Sequence, residues 1–506
     1  MSEEIAPVER LTGGEEQFER IRRAIGFFAA PLSFAAVLLL PMPALKPEAH
    51  RLAAVMSAVV ILWICESLPL PVTALLGACA CVVLRVAPAK EVFAPFADPL
   101  MFLFIGSFII ARAIFLHGLD RRVAFGVLSL RAVGVRPARI LIAFGAATAF
   151  ISAWISNTAT TAMMFAIGMS ILQFLFEQEK HGGPRVDRRY AAGLMLMTSF
   201  AASIGGLATP IGTPPNVIGL TYIRDQLHVP MSFFRWCLIG VPVVIVLFVW
   251  LAGYLTFLCR AGAREFGAGH AMLVRQRELL GAWTTAQKST AIAFCCTVVL
   301  WIAPGAVAVA VGERHRAYKS FTEIMPEGVA ALIGATLLFL LPGEKGKRAI
   351  DWKQAVQIDW GVVLLYGGGF ALGVLSFNTG LAGAIGQSLA HLLPVQGNPL
   401  MMLIAATSVA VIASEVSSNT ASANMVVPVA IALSQSAGVD PLAPALGATF
   451  GASLGFMLPV STPCNAIVYG SGYVRIGTMI RYGALLDVVG IIVIVTMVHL
   501  LTPIVR

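Results

Sequence analysis

Of the chain's 506 residues, 58% are hydrophobic and only 12% are charged. A water-soluble fold cannot cover that much apolar surface, so lipid is the solvent expected for most of it. The formal charge of +9 is no argument for nucleic acid, because Lys and Arg collect in the cytoplasmic loops of membrane proteins. The eight Cys fall in apolar segments without metal-ligand spacing and read as small core residues.

The N-terminal stretch, 1–24, is mostly polar and is expected to be a partly helical cytoplasmic arm without a cleavable signal peptide. Apolar segments long enough to cross a bilayer follow at 25–45, 51–68, 71–87 and 99–117, then at 233–259, 289–311, 327–342, 358–376 and 483–503. Four other apolar stretches, 138–176, 190–223, 396–437 and 439–470, are interrupted by Gly, Pro, Ser, Thr and Asn. Broken backbone at membrane depth is tolerated only where it lines a protein-bound or watery cavity, so function is expected there. If 138–176 and 396–437 are re-entrant hairpins, eleven spans remain. The fold class expected is an all-α polytopic membrane protein with eleven transmembrane helices and two re-entrant helical hairpins. The loop 112–139 carries six Lys and Arg and 377–398 carries none. That bias places the N-terminus in the cytoplasm and the C-terminus outside a bacterial-type inner membrane.

The two halves align. At a separation of 262, Gly106 pairs with Gly368, Gly118 with Gly380, Ser152 with Ser414, and Ser156-Asn157-Thr158-Ala159 with Ser418-Asn419-Thr420-Ala421. Farther on the separation is 249: Pro210 pairs with Pro459, Thr213-Pro214 with Thr462-Pro463, and Asn216 with Asn465. One charged loop of 13 residues, Glu177–Arg189, accounts for the change. Because the basic loops put corresponding segments on opposite faces, the repeats are of inverted topology, a pattern found in secondary transporters. The expected organisation is an arm (1–24), scaffold helices (25–98), a first repeat (99–232) with hairpin 138–176 and unwound helix 208–216, scaffold and linking helices (233–342), a second repeat (343–482) with hairpin 396–437 and unwound helix 458–465, and a C-terminal helix (483–506).

The repeated motifs offer Ser, Thr and Asn side chains on Pro- and Gly-broken backbone, with no Arg or Lys. Half-helix N-termini favour anions and C-termini favour cations. Such a site suits a carboxylate beside a small alkali cation, whose charge offsets the cost of burying the anion. No paired carboxylates, H-E-x-x-H or nucleophile–base set is visible, so an intramembrane enzyme is not expected. The G-x-S-x-G match at Gly451–Gly455 lies in an apolar helix and is discounted.

With its paired S-N-T and T-P-x-N motifs, the chain resembles the divalent anion/Na⁺ symporter family of di- and tricarboxylate and sulfate carriers, over nearly its whole length. The resemblance implies two or more Na⁺ sites. One would use Ser152, Ser156 and Asn157 with backbone near Gly212; the other Ser414, Ser417 and Asn419 with backbone near Ser461. It implies substrate contacts from Ser156, Asn157, Thr158, Ser418, Asn419 and Thr420, with Thr213, Pro214, Thr462 and Pro463 shaping the pocket. It further implies a homodimer in lipid, moving its substrate as an elevator. Sodium-coupled transport of a C4 dicarboxylate is the first expectation; Na⁺-independent exchange, and sulfate, citrate or tartrate as substrate, stay open. Outside the motifs, Glu415 is an acid at membrane depth, with either a functional or a structural role. Glu66 is expected to cap a helix or pair with a basic loop, and Asp359 to begin a helix.

Overall fold

The computed structural model describes residues 13–266, 269–312, 315–392 and 397–505. Among these residues the chain is helical apart from one isolated bridge between Pro342 and Arg348. Large apolar side chains point outward along its flanks, as at Phe28, Leu32, Val83 and Val309. Facing lipid, these need no cover. The chain is an all-α polytopic membrane protein.

The arm continues into the first helix, Gly13–Leu39, without a break; residues 1–12 lie outside the described residues. Among the described residues nine helices are long and apolar enough to cross a membrane, or ten if the bent pair Tyr318–Ile324 and Glu327–Leu340 is one span. This set differs from the eleven segments expected. It includes Asn157–Lys180 and Pro399–Val416, which belong to the expected hairpins, and it omits Leu70–Val83, which is shorter. It also omits the two interrupted stretches: Arg188–Gly205 is long enough but, starting with two arginines, not apolar enough, and the other three pieces are too short.

Both hairpins form. The first pairs Pro137–Ser152 with Asn157–Lys180, and Ser156 caps the second arm by accepting from Ala159 N at 3.3 Å. The second pairs Pro399–Val416 with Asn419–Ser436. Asn398 caps its first arm through Met401 N at 3.1 Å. The interrupted stretches are Arg188–Gly205 with Pro214–Leu227, and Leu442–Gly451 with Pro463–Tyr469. Each second piece starts at a Pro, whose missing N–H costs nothing at a helix start. The breaks open at 206 and 452, earlier than the 208 and 458 expected.

The repeat is visible in the backbone. Gly118 and Gly380 both break helices at left-handed φ, 65° and 87°, a conformation that glycine adopts without penalty. At Gly106 an added Cβ would come within 2.6 Å of the Ala331 backbone, and at Gly368 within 2.9 Å of the Ala74 backbone. Those alanines sit in Val329–Ala335 (VAALIGA) and Val72–Ala78 (VTALLGA), which match each other. The duplication therefore reaches one helix earlier in each half than the motifs indicated. The pairing is also exchanged: Leu70–Val83 of the first half packs on Trp360–Thr379, and Glu327–Leu340 of the second packs on Pro99–Leu116.

Candidate functional site

Each hairpin turns over at a Ser–Asn bond. Ser152 Oγ donates to Asn157 Oδ1 at 2.7 Å, and Ser414 Oγ donates to Asn419 Oδ1 at 2.8 Å. Both serines are fully buried while both asparagines are half-buried. The bond fixes the amide so that its oxygen faces the helix and its NH₂ group faces away. A glycine makes room for each tip. Gly206 lies against the Asn157 side chain, where an added Cβ would overlap Oδ1, and Gly455 lies against Ser414 Oγ, with an added Cβ 3.1 Å away.

The breaks are tied by the second pair of asparagines. Asn216 Nδ2 donates to the carbonyls of Gly206 and Thr209, each at 2.8 Å. Asn465 Nδ2 donates to those of Gly455 and Leu458 at 2.9 and 3.0 Å. One amide thus satisfies two carbonyls that the unwound helix leaves without partners. The two halves then interlock. Pro463–Tyr469 packs on Asn157–Lys180, and Pro214–Leu227 packs on Asn419–Ser436. Phe200 and Phe456 meet edge to face at 5.1 Å between them.

The sequence of the whole chain gives this geometry a family. Residues 22–505 match the model of the sodium:sulfate symporter transmembrane region. The chain belongs to that family. It is 34% identical over 498 residues to a sodium-dependent dicarboxylate transporter of Staphylococcus saprophyticus, covering 97% of this chain and 93% of the relative. A protein of the same name from Staphylococcus aureus is 33% identical over 491 residues, covering 95% and 91%. Among solved structures, the YdaH transporter of Alcanivorax borkumensis shares the fold, at TM-score 0.50 and 13% identity over 82% of this chain and 88% of that one. Members of the sodium:sulfate symporter family are carriers, so this chain is a transporter and not an enzyme.

In this symporter-family chain the expected site residues fall into a few groups. Ser152, Ser156 and Asn157 gather at the first tip, with Gly212 packed over Gly206 beside them. Ser414 and Asn419 gather at the second, where the Ser453 carbonyl accepts from Asn419 Nδ2 at 3.4 Å and the Ala452 carbonyl, 3.0 Å from Ser414 Oγ, is an alternative acceptor for its one proton. Ser417 turns back on its helix and donates to the Ala413 carbonyl at 2.8 Å. Ser461 is engaged by Glu415: its hydroxyl donates to Glu415 Oε2 at 2.6 Å, while Met457 N donates to Oε1 at 2.8 Å. Glu415 therefore ties the second tip to the second break. Thr158 is exposed, Thr420 and Ser418 are half-buried, and Ser418 Oγ has no hydrogen-bond partner. Thr213 and Thr462 are buried at the starts of the two short helices, with Pro214 and Pro463 next in line.

Two residues that the motifs did not single out belong with these. Cys464 is buried against the hydroxyls of Thr158, Thr161 and Ser203, so it joins the second break to the first tip. Asp487, on the C-terminal helix Ile476–Val505, faces Glu415. Its acidity inside a long apolar run was the available signal. The acids singled out elsewhere have structural roles. Glu66 pairs with Arg22 at 3.3 Å, and Asp359 caps Trp360–Thr379 through Val362 N at 3.2 Å.

Proposed function

We propose that this chain carries a small divalent anion, a C4 dicarboxylate such as succinate or malate, across the membrane coupled to Na⁺. The observation that supports this most is the duplicated tip, a buried Ser bonded to an S-N-T Asn beside a glycine-cleared break. Hydroxyl, amide and carbonyl oxygens are the hard ligands that an alkali cation takes. Ser152, Ser156, Asn157 and the backbone at Gly212 form one candidate Na⁺ site. Ser414, Ser417, Asn419 and the backbone at Ser461 form a second. For Ser417 to serve, its hydroxyl must keep its bond to Ala413 and offer a lone pair. Ser156, Asn157, Thr158, Ser418, Asn419 and Thr420 supply donors for two carboxylates, and Thr213, Pro214, Thr462 and Pro463 border them. No Lys or Arg lies in these segments, so Na⁺ supplies the countercharge and coupling follows from electrostatics.

The names of the relatives support both ions. In this reading eleven spans and two re-entrant hairpins sit in a bacterial plasma membrane, N-terminus in the cytoplasm and C-terminus outside. Two copies associate, and in each the hairpins and broken helices move as an elevator against scaffold helices drawn from 25–98 and 233–342. Uptake of radiolabelled succinate into proteoliposomes tests it. Uptake into empty vesicles that requires an inward Na⁺ gradient is expected. Uptake only into vesicles preloaded with succinate, indifferent to Na⁺, overturns the coupling. Na⁺-driven uptake of sulfate in place of succinate overturns the substrate.

A further inference from the structure

A cavity away from the hairpin tips lies between the base of the first hairpin, Tyr190 and the segment that follows Phe233–Leu258. Three arginines line it, Arg136, Arg260 and Arg264, and no acidic residue does. It is partly open, with a volume of about 380 Å³. Arg136 is the residue before Pro137–Ser152, so the cavity also meets the N-terminus of a 16-residue helix, where N–H groups and the helix dipole favour an anion. Asp187, which lies beside Gly262 of the lining, is occupied: it caps Arg188–Gly205 by accepting from Arg189 N at 2.8 Å. Thr256, also in the lining, has a buried hydroxyl with no hydrogen-bond partner.

The walls are held together. Asp187 N donates to the Ala261 carbonyl at 3.0 Å and Phe266 N to that of Val135 at 2.8 Å. Tyr190 Oη donates to the Pro137 carbonyl at 3.1 Å. On the open side the Arg260 guanidinium lies over Phe257, 5.2 Å from the ring, and that ring is 66% exposed. An exposed aromatic next to an arginine, at the end of a long apolar helix, is the pattern of a membrane–water boundary.

We propose that this cavity binds the phosphate of an anionic phospholipid. The arginines and the helix N-terminus meet the phosphate, and the acyl chains lie along the apolar flank that Phe257 belongs to. Guanidinium groups match phosphate oxygens two at a time, and basic pockets between membrane helices accept such head groups. The bound lipid would join the base of the first hairpin to the end of Phe233–Leu258. The proposal does not depend on which anion is transported or on which face the cavity opens.

Full-length protein is purified from membranes containing phosphatidylglycerol and examined by native mass spectrometry. Retained phosphatidylglycerol is expected on the wild type, with occupancy lower by roughly a hundredfold when R136Q, R260Q and R264Q are combined, at roughly tenfold or less per arginine. Ala138→Asp is a second variant. It places a carboxylate in the lining while suiting the helix N-terminus, so it removes the lipid without unfolding the helix. Equal retention in wild type and both variants overturns the proposal. So does a melting temperature raised by inorganic phosphate and not by phosphatidylglycerol, which would make free phosphate the ligand.

Discussion

Arg224 and Asp98 join two parts of the molecule that are far apart in sequence. Arg224 lies in the last turn of the short helix after the first break, and Asp98 caps Pro99–Leu116 by accepting from Leu100 N at 2.8 Å. The guanidinium takes both Asp98 oxygens, and Tyr366 Oη donates to the same carboxylate at 3.2 Å. Tyr366 is in turn 2.7 Å from Thr221 Oγ1. If the first break moves during transport, this network must open and re-form in each cycle. Asp98→Asn keeps the cap and loses the charge. The expected result is a melting temperature lower by a few degrees, from a loss on the order of 1–3 kcal/mol for a half-buried pair. An altered maximal uptake rate is expected with it. Unchanged melting and unchanged uptake together would mean that the pair neither stabilises nor gates.

The second break is better satisfied than the first. Asn465 Oδ1 accepts from Ser199 Oγ at 2.5 Å, whereas Asn216 Oδ1 is buried without a partner. At the separation of 249 that relates the halves, the residue equivalent to Ser199 is Ala448, which has no hydroxyl. Ala448→Ser is expected to supply the missing donor and raise stability by about 1 kcal/mol. Thermal unfolding in detergent reads this directly; a lower melting temperature would show that the site has no room for the hydroxyl.

The tips themselves are tested by the amides and the glycines. Asn157→Ala and Asn419→Ala should abolish Na⁺-driven uptake and leave expression intact. Gly206→Ala keeps the amide but crowds it: its methyl would overlap Asn157 Oδ1, so the amide must shift. A Na⁺ activation constant roughly tenfold higher is expected, equivalent to about 1.4 kcal/mol. Wild-type activation in Gly206→Ala, with Asn157→Ala also active, would remove the first tip from the Na⁺ site.

Asp120 gives a pH prediction. It lies in the short helix Leu119–Leu128, outside the spans, and burial pushes its carboxyl from 3.8 up to about 6. The folded protein therefore keeps a proton that the unfolded chain releases. Stability falls as pH rises from about 4 to about 6, by roughly 3 kcal/mol at most, and is level above that. Asp120→Asn should flatten this dependence and melt higher than the wild type at neutral pH. Parallel pH curves for the two proteins would contradict it.

Much of the architecture was legible because membranes leave few options. Apolar run length located the helices, and Pro and Gly located the breaks, as at Pro214 and Pro463. Repeated polar tetrads marked the tips, because Asn is uncommon enough in apolar segments to stand out twice at one spacing. What stayed hidden has physical causes. The match between Val72–Ala78 and Val329–Ala335 is made of the residues that membrane helices use most, so it carries little weight until Gly106 and Gly368 are seen packed on it. Asp487 lacks a motif, and its nearness to Glu415 depends on how the last helix packs. Cys464 occupies the position of Pro215 in the other half, so comparing the halves predicts a difference there but not its three hydroxyl neighbours.

The exchanged packing of Leu70–Val83 and Glu327–Leu340 has a consequence for how the chain is made. When the ribosome finishes Leu70–Val83, the helix that covers its Ala74 face has not been translated, and nearly 300 further residues must follow. Neither half can finish folding by itself. Insertion must hold the early helices in a loosely packed state until Trp360–Thr379 arrives, and the two halves then mature together.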